Sequence, residues 1–477
     1  MPRRIREHSS GRERALLLLV LVGTALLFGD GVLTPVISVL SATEGLNLVN
    51  LAIGEYAVEI AVVILIVLFA AQSRGTHRIG QLFGPVMVIW FLTIAGLGVY
   101  RPFARPDALL ALSFTYAIAY IADRGWASLA VASSVIFAVT GAEALHADMG
   151  HFGRHPIRLS WALLVGPALV LCYLGQAALA PADPGAARKP FIGLAPSAAT
   201  LPLALLATAA TVVASQALIT GVFSLARQGI QLGVLPCMTV KHTHAEHEGQ
   251  IYSPFVNVAV GALCIAVVLA FRSSSALAHA EVLAIAGTMF ITTIAFHAVA
   301  SRTWDWLAYR LWPLTVGFLL VDLTFLVGTL SNVVNGGWVP LVFGAVVMVV
   351  MVGWSNGYRA LGSYMARTAV RWPSIQEELR HGSLTRVPGV GVFLASPSEE
   401  VPAALSSQFK VLHAMPTEVI VVTVRIVGMP VADTLPEVEQ ILPRISRVTI
   451  PVGYMETPDV PSAPRASVLG GIERSAT

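Results

Sequence analysis

The stretch Leu27-Phe28-Gly29-Asp30-Gly31-Val32-Leu33-Thr34-Pro35 sets an acid, two glycines, a hydroxyl and a proline midway along an apolar run from Ala15 to Leu46. A run of that length exceeds the roughly 20 residues that carry a helix across about 30 Å of hydrocarbon. A carboxylate at that depth is expensive, so it is read as functional before it is read as structural. Gly29 and Gly31 relax the backbone, Pro35 lacks an N–H and crowds the preceding turn, and Thr34, before the proline, is pushed out of the α region. The pattern predicts a helix that breaks here and frees carbonyl oxygens. With the Asp30 carboxylate and the Thr34 hydroxyl these make ligands for a desolvated monovalent cation, as in discontinuous transporter helices. A plain proline kink is the alternative reading.

The same apolar texture continues along most of the chain. Its 477 residues are 56% hydrophobic and only 12% charged, where a soluble domain carries about 25% charged residues, and the mean hydropathy is +0.74. An ordinary soluble enzyme is excluded, and an all-α polytopic membrane protein is expected. Ten candidate spans run roughly over residues 15–46, 50–72, 80–100, 126–148, 157–180, 200–226, 252–271, 277–300, 311–331 and 337–354. The basic start followed by Ala15–Phe28 imitates a secretory signal, but no A-x-A-like site follows and the apolar pattern resumes beyond Pro35, so it is read as a span.

An even number of spans puts both termini on one side. The N-terminal tail (Arg3, Arg4, Arg6, Arg12, Arg14) and the alternate loops on its side (Arg74, Arg78, Arg154, Arg158, Arg227, Lys241, Arg302, Arg310) carry thirteen basic residues. The opposite loops carry six: Arg101, Arg105, Arg124, Arg188, Lys189 and Arg272. By the positive-inside rule both termini are cytoplasmic. The stretch Asp107–Ala122, with Tyr116 and Tyr120, is too short to span and predicts an external interfacial helix.

Beyond residue 354 the composition changes, and 11 of the 27 acidic residues fall there. Gly391–Ala395 and Glu418–Ile426 are β-rich, flank a candidate helix at Pro402–Leu412, and are followed by Val448–Tyr454. This predicts a small β-α-β cytosolic domain. Met455 onward, rich in Pro, Ser and Ala, reads as disordered. The expected organisation is a basic tail (1–14), a membrane domain (15–354) and a cytosolic domain (355–477).

Several chemistries are excluded. A net charge of +3 without a basic stripe does not suggest nucleic acid as a partner. Cys172, Cys237 and Cys264 lack the number and spacing of a disulfide framework or a structural zinc site. None of the three lysines follows a phosphate-binding glycine loop, which argues against an ATP-driven pump in this chain. The run His242–Glu248 reads better as a solvated loop than as a metal tract. No nucleophilic triad can be placed, so the protein is read as a non-enzyme that needs no cofactor and no metal beyond the ion it carries.

Other polar groups at span depth are few. In Thr140-Gly141-Ala142-Glu143, Thr140 and Glu143 share a helix face, and a desolvated carboxyl at Glu143 can hold a proton and release it to a passing cation. A capped or paired buried acid is the alternative. For Asp148 and His151, a loop or cap role competes with gating. Ser215, Gln216, Thr220 and Ser224 follow helical spacing. They read first as interhelical hydrogen-bonding groups, with Ser215 and Thr220 a candidate second cation site. Asp322, Glu281 and Glu59 read as partners in interhelical contacts or as lying near the interface, with Glu59 close enough to the external surface to be wet.

Taken in order, several segments resemble the Kup/HAK/KT potassium uptake permeases. They are GDGVLTPVISVLSATEGL (Gly29–Leu46), TGAEALHADMGHFG (Thr140–Gly153), SQALITGVFSLARQ (Ser215–Gln228), HEGQIYSPFVN (His247–Asn257), GGWVPL (Gly336–Leu341) and VPGVGVFLAS (Val387–Ser396). The resemblance implies the five-plus-five inverted-repeat fold of amino acid–polyamine–organocation transporters and K⁺/H⁺ symport by alternating access across the inner membrane. By motif it carries over Asp30, Thr34, Thr140 and Glu143 as cation-binding positions, with Glu143 coupling the proton. The implied partners are K⁺, H⁺ and the bilayer. The resemblance leaves room for a second copy through the cytosolic domain and for a regulatory nucleotide, such as related cytosolic domains bind, although no residue here matches a nucleotide site.

Two departures stand out. The family's first two spans, with their GDIGTSPLY-like motif, have no counterpart, and Glu281-Val282 and Ala286 stand where members tend to have Tyr-Gly and Thr. A transport-incompetent membrane scaffold or ion sensor, and a carrier of another small solute on the same fold, are the alternatives.

Overall fold

The computed structural model describes residues 11–47, 55–74, 77–138, 154–181, 190–242, 251–302, 304, 306–330, 333–368, 370, 372–381, 385–395, 401–427, 432 and 436–453. Its helices are α1 (Gly11–Asn47), α2 (Ala57–Ala71), α3 (His77–Ala104), α4 (Phe114–Arg124), α5 (Ser128–Val135), α6 (Arg154–Ser160), α7 (Gly166–Leu179), α8 (Thr200–Gln231), α9 (Pro254–Phe271), α10 (Ser274–Arg302), α11 (Ala308–Leu330), α12 (Trp338–Thr368), α13 (Trp372–His381) and α14 (Ala403–Leu412). The strands are β1 (Lys241–His242), β2 (Ile251–Tyr252), β3 (Thr385–Leu394), β4 (Ala414–Val427), β5 (Glu437–Leu442) and β6 (Ile445–Gly453).

Among the described residues, eight helical segments are long and apolar enough to cross a membrane: Ala15–Leu46, Phe83–Tyr100, His155–Leu179, Ser197–Gln231, Pro254–Phe271, Ser274–Arg302, Ala308–Leu330 and Trp338–Tyr364. The second expected span corresponds to the shorter apolar helix α2. Of the fourth, expected over residues 126–148, only the part through Ala138 is described, and the remainder lies outside the described residues. The expected interfacial stretch is two short helical pieces, Pro106–Leu112 and α4, with no buried residue in either.

The chain divides into two compact units, Met1–Thr243 with Gly249–Gly353, and His244–Glu248 with Trp354–Thr477. In the first, α1 is central and packs against α10, α8, α2 and α9. Leu33, Val36 and Leu40 of α1 meet Leu65 and Phe69, Ile219 and Phe223, Val260 and Cys264, and Leu277 in one apolar core.

The Gly29–Pro35 stretch does not break this helix, which corrects the sequence expectation: α1 is one element of 37 residues with Pro35 inside it. The proline removes a single N–H, the one that would serve the Gly31 carbonyl four residues back. Ending the helix would expose several backbone groups where no water can pair them, so keeping the ladder is the cheaper outcome. Packing on both sides of Pro35 holds it, since Leu33 and Val36 are both fully buried.

Helices α1 and α10 run antiparallel along most of their lengths. Near one end, the Glu44 carboxylate accepts hydrogen bonds from the Ser274 backbone N–H (2.9 Å) and from the Ser274 hydroxyl. A carboxylate there satisfies an orphan amide and suits the positive end of the α10 dipole. Farther along, Leu26 approaches Gly287, and Ile291 approaches Gly23, where a Cβ would stand 2.8 Å from the Ile291 Cγ2. Small residues at such crossings let helices come together in a membrane. These pairs set the register of the two helices.

The second unit carries a four-stranded sheet of order β3-β4-β6-β5. β3 and β4 are parallel and joined through α14, β4 and β6 are parallel, and β5 is antiparallel to β6. The expected β-α-β unit is present; β5, an edge strand reading Glu-Val-Glu-Gln-Ile-Leu, and α13 are additions to it. A buried central strand needs apolar residues on both faces. Accordingly Val419 and Val421 of β4 pack with Ile375, Leu405 and Phe409, while Ile420 and Val422 pack with Val448 and Ile450. Gly389, at φ 131°, lies in the bulge where the β3–β4 register shifts between Val387 and Val390, a backbone geometry that favours glycine. Arg386 ties β3 to β4 by donating to the Pro416 and Thr417 carbonyls (3.1 and 2.9 Å). Burial first, and the neighbouring Arg444 second, bring its pKa below the ordinary arginine value.

Candidate functional site

One turn separates Asp30 from Thr34, and because α1 stays helical the two side chains rise on the same face. The Thr34 hydroxyl stands 3.0 Å from the Asp30 Oδ1. It also stands 2.7 Å from Oε1 of Glu281, which α10 brings from 247 residues away. Both acids are deeply buried, Asp30 at 5% and Glu281 at 4% exposure. The antiparallel register of α1 and α10 accounts for the meeting. From the Glu44–Ser274 contact, ten residues back along α1 and seven forward along α10 reach Thr34 and Glu281, about 15 and 10 Å of axial rise.

The result is an acid–hydroxyl–acid cluster midway along the central helix. Its donor atoms are all oxygens, and the Gly31 carbonyl, which has no Pro35 N–H to accept, belongs to the same turn of α1. Hard oxygen donors in a dry setting are the chemistry that replaces the hydration shell of a bare cation.

The remaining expected site residues separate into two groups. Thr140 and Glu143, with Asp148 and His151, lie outside the described residues. In α8, Ser215 is fully buried and its hydroxyl has no hydrogen-bond partner among the described residues. Thr220 turns its hydroxyl back onto its own helix, donating to the Gln216 carbonyl at 3.0 Å. Gln216, one turn before Thr220 in the same helix, exchanges two amide hydrogen bonds with Gln72 (2.7 and 2.8 Å). This buried pair joins α8 to the end of α2, the interhelical use expected of such groups.

Asp322 on α11 accepts a hydrogen bond from the Thr293 hydroxyl on α10 at 2.6 Å, and Glu59 is exposed. On the same pair of helices, the Thr315 hydroxyl donates to the Leu311 carbonyl (2.8 Å) and stands 3.0 Å from His297 Nδ1. With the threonine hydrogen committed, the histidine is the donor in that contact.

Sequence reading left Glu281 as an interhelical partner or an interfacial residue and did not bring it to the Asp30–Thr34 pair. Its depth was legible; its partner was not, because nothing in the spacing of α10 points to α1.

Together these features define a multi-pass helical membrane protein with a cluster of carboxyl and hydroxyl oxygens buried halfway along its central helix and a small α/β unit at its C-terminal end. The chain belongs to the K⁺ potassium transporter family. That family's integral membrane domain matches residues 3–359, and its C-terminal domain matches residues 388–472. Among similar proteins, a probable potassium transport system protein Kup of Anaeromyxobacter dehalogenans (strain 2CP-C) is 43% identical over 466 residues, 96% of this chain and 69% of the relative. The probable Kup 1 protein of Syntrophobacter fumaroxidans is 42% identical over 95% of this chain and 69% of its own length. The probable Kup 2 protein of Paramagnetospirillum magneticum is 43% identical over 96% of this chain and 72% of its own length.

Proposed function

We propose that this chain takes up K⁺ across the inner membrane as a K⁺/H⁺ symporter working by alternating access. Asp30 and Thr34 form the core of the cation site, Thr140 adds a ligand, and Glu143 carries the coupled proton. The observation that carries the reading is the buried Asp30–Thr34 pair, one turn apart on the central helix at 3.0 Å. Family membership and the names of the relatives supply the ion.

In the inverted-repeat fold proposed for the membrane domain, α1 is one of the helices lining the central site. Alternating access then moves surrounding helices about a site whose ligands stay in place. The excess of basic residues in alternate loops supports cytoplasmic termini and a cytosolic C-terminal unit.

The test is rubidium uptake by cells lacking their own potassium uptake systems, comparing the chain with Asp30→Asn and Glu143→Gln at matched membrane expression. Uptake by the chain is expected, with Asp30→Asn raising the half-saturating concentration about tenfold or more. Glu143→Gln is expected to abolish uptake or its dependence on the proton gradient. No uptake from well-inserted protein would overturn the transport reading in favour of an ion sensor. Uptake unaltered in rate and pH dependence in Glu143→Gln would remove that residue from the mechanism.

A further inference from the structure

Two hydrogen-bonded contacts between α10 and α11 have no part in the proposed cation site. Asp322 accepts from the Thr293 hydroxyl at 2.6 Å, and one turn farther along α10 the His297 Nδ1 stands 3.0 Å from the Thr315 hydroxyl. Asp322 and Thr315 are buried, at 4% and 3% exposure. Four residues on α10 and seven on α11 separate the two contacts, about 6 and 10 Å of axial rise. Both lie toward the end of α10 that carries Arg302, cytoplasmic in the proposed orientation, with Thr293 nine and His297 five residues from that arginine.

Each contact includes an atom able to hold or take a proton. An ionised carboxyl offers about four acceptor positions. Among the described residues Asp322 receives one donor, Thr293, and a charge so sparsely hydrogen-bonded is costly to bury. With a hydrogen of its own, the carboxyl keeps Thr293 as donor and sheds the charge. At His297, the Thr315 hydrogen is committed to the Leu311 carbonyl. The ring hydrogen therefore sits on Nδ1, and Nε2 is the atom with a lone pair for an incoming proton. The imidazole lies against Trp312, ring centroids 4.9 Å apart.

The elements packed against these two helices bring few charges to the contacts. α5 and the turns Ile136–Ala138 and Val333–Gly337 have no titratable side chain, and α9 has only Cys264. α1 meets Ile291 at Gly23, and its nearest titratable groups, Arg14 and Asp30, are nine and seven residues from that glycine. On α10 and α11 themselves the other titratable groups are His279, Glu281, Arg302, Tyr309 and Arg310. Glu281 is twelve residues from Thr293, about 18 Å along the helix. The chain that leads into Glu143 reaches the same helices: Ile136, seven residues before it, packs with Ile285 and Phe325, and Phe325 is one turn from Asp322.

We propose that Asp322 and His297 carry the coupled proton along the α10–α11 pair to the cytoplasm. This rests on the reading of the chain as a proton-coupled potassium carrier. The Asp322 O–H bond breaks as its proton passes through intervening water to His297 Nε2, leaving a carboxylate that still accepts from Thr293. The imidazolium keeps its Nδ1 hydrogen on Thr315 and gives the Nε2 proton to cytoplasmic water. The next imported proton neutralises Asp322, so each cycle moves one proton and restores both groups.

The experiment is rubidium uptake driven by a proton gradient into proteoliposomes holding the purified full-length chain, over a range of pH, beside equilibrium rubidium binding to the same preparations. Asp322→Asn and His297→Gln are compared with wild type after gel filtration shows each to be monodisperse. Asn still accepts from Thr293 and Gln still donates to Thr315, so a purely structural role predicts wild-type behaviour. Each variant is expected to slow proton-driven uptake about tenfold or more and to flatten its pH profile, with rubidium binding unchanged. A wild-type rate and pH profile in either variant would overturn the proposal. Rubidium binding lost in step with uptake would overturn it too, by assigning the residues to the cation site or the fold. If Asp322→Asn does not fold, His297→Gln decides: slow uptake with a flat profile supports the proposal, and an unaltered profile overturns it. Wild-type uptake that ignores the proton gradient overturns the symport reading itself, a failure seen before any variant is compared.

Discussion

Replacing Gly175 with Ala is expected to force apart two helices that touch backbone to backbone. Gly175 on α7 lies against Gly98 on α3, and a Cβ on Gly175 would stand 2.8 Å from both the Gly98 Cα and its carbonyl oxygen. Carbon atoms pack comfortably at about 3.5 Å, so α3 and α7 must separate by roughly 0.7 Å. The obstacle is main chain, and no rotamer change relieves it. Contacts around Ile94, Ala168, Cys172 and Leu179 loosen as a result. Overpacking of this kind costs about 1–3 kcal/mol. Alanine's helix propensity returns up to about 1 kcal/mol, leaving a net loss of about 0.5–2 kcal/mol. Gly317→Ala on α11 is the matched control, because a Cβ there meets nothing within 4 Å and only the propensity gain remains. Thermal unfolding of the purified full-length chain in detergent, followed by tryptophan fluorescence, should place Gly175→Ala a few degrees below Gly317→Ala. The reasoning is refuted if Gly175→Ala melts at or above the control.

Two further substitutions probe the central contacts. Thr34→Val keeps the shape of the side chain but removes the hydroxyl shared by Asp30 and Glu281, and rubidium affinity is expected to fall about tenfold; equal affinity in equilibrium rubidium binding to the purified chain would show that the hydroxyl is not a ligand. For the Gln72–Gln216 pair, either single change to Leu strands a buried amide and should cost about 1–3 kcal/mol. The double change should recover part of that, a coupling of about 0.5–2 kcal/mol in a double-mutant cycle of melting temperatures, and strict additivity of the two singles would show that the amides do not depend on each other.

The apolar segments, the β-α-β pattern of the C-terminal unit and the depth of Asp30, Thr34, Glu281 and Asp322 are all legible in the sequence. The reason is that hydropathy and strand alternation are local properties: each is written in the fifteen or twenty residues that form the element. Asp30 and Thr34 share a face because they are four residues apart in one helix, which spacing alone reveals once the helix is granted.

What only the tertiary structure decided is what depends on neighbours. Pro35 and its glycines signal a break when read locally, yet α1 continues, because the lost N–H is one bond and the helices packed around Leu33 and Val36 leave no solvent to receive a broken backbone. β5 pairs with β6 although its Glu-rich alternation is a weak strand signal, since an edge strand needs only one apolar side. The joining of Thr34 to Glu281 across 247 residues goes with the close approaches of α1 and α10 at Gly23 and Gly287, and Gln72 meets Gln216 across 144 residues. Periodicity shows that a helix face seeks a partner; the packing of glycines against side chains in the folded chain determines which partner it finds and at what register.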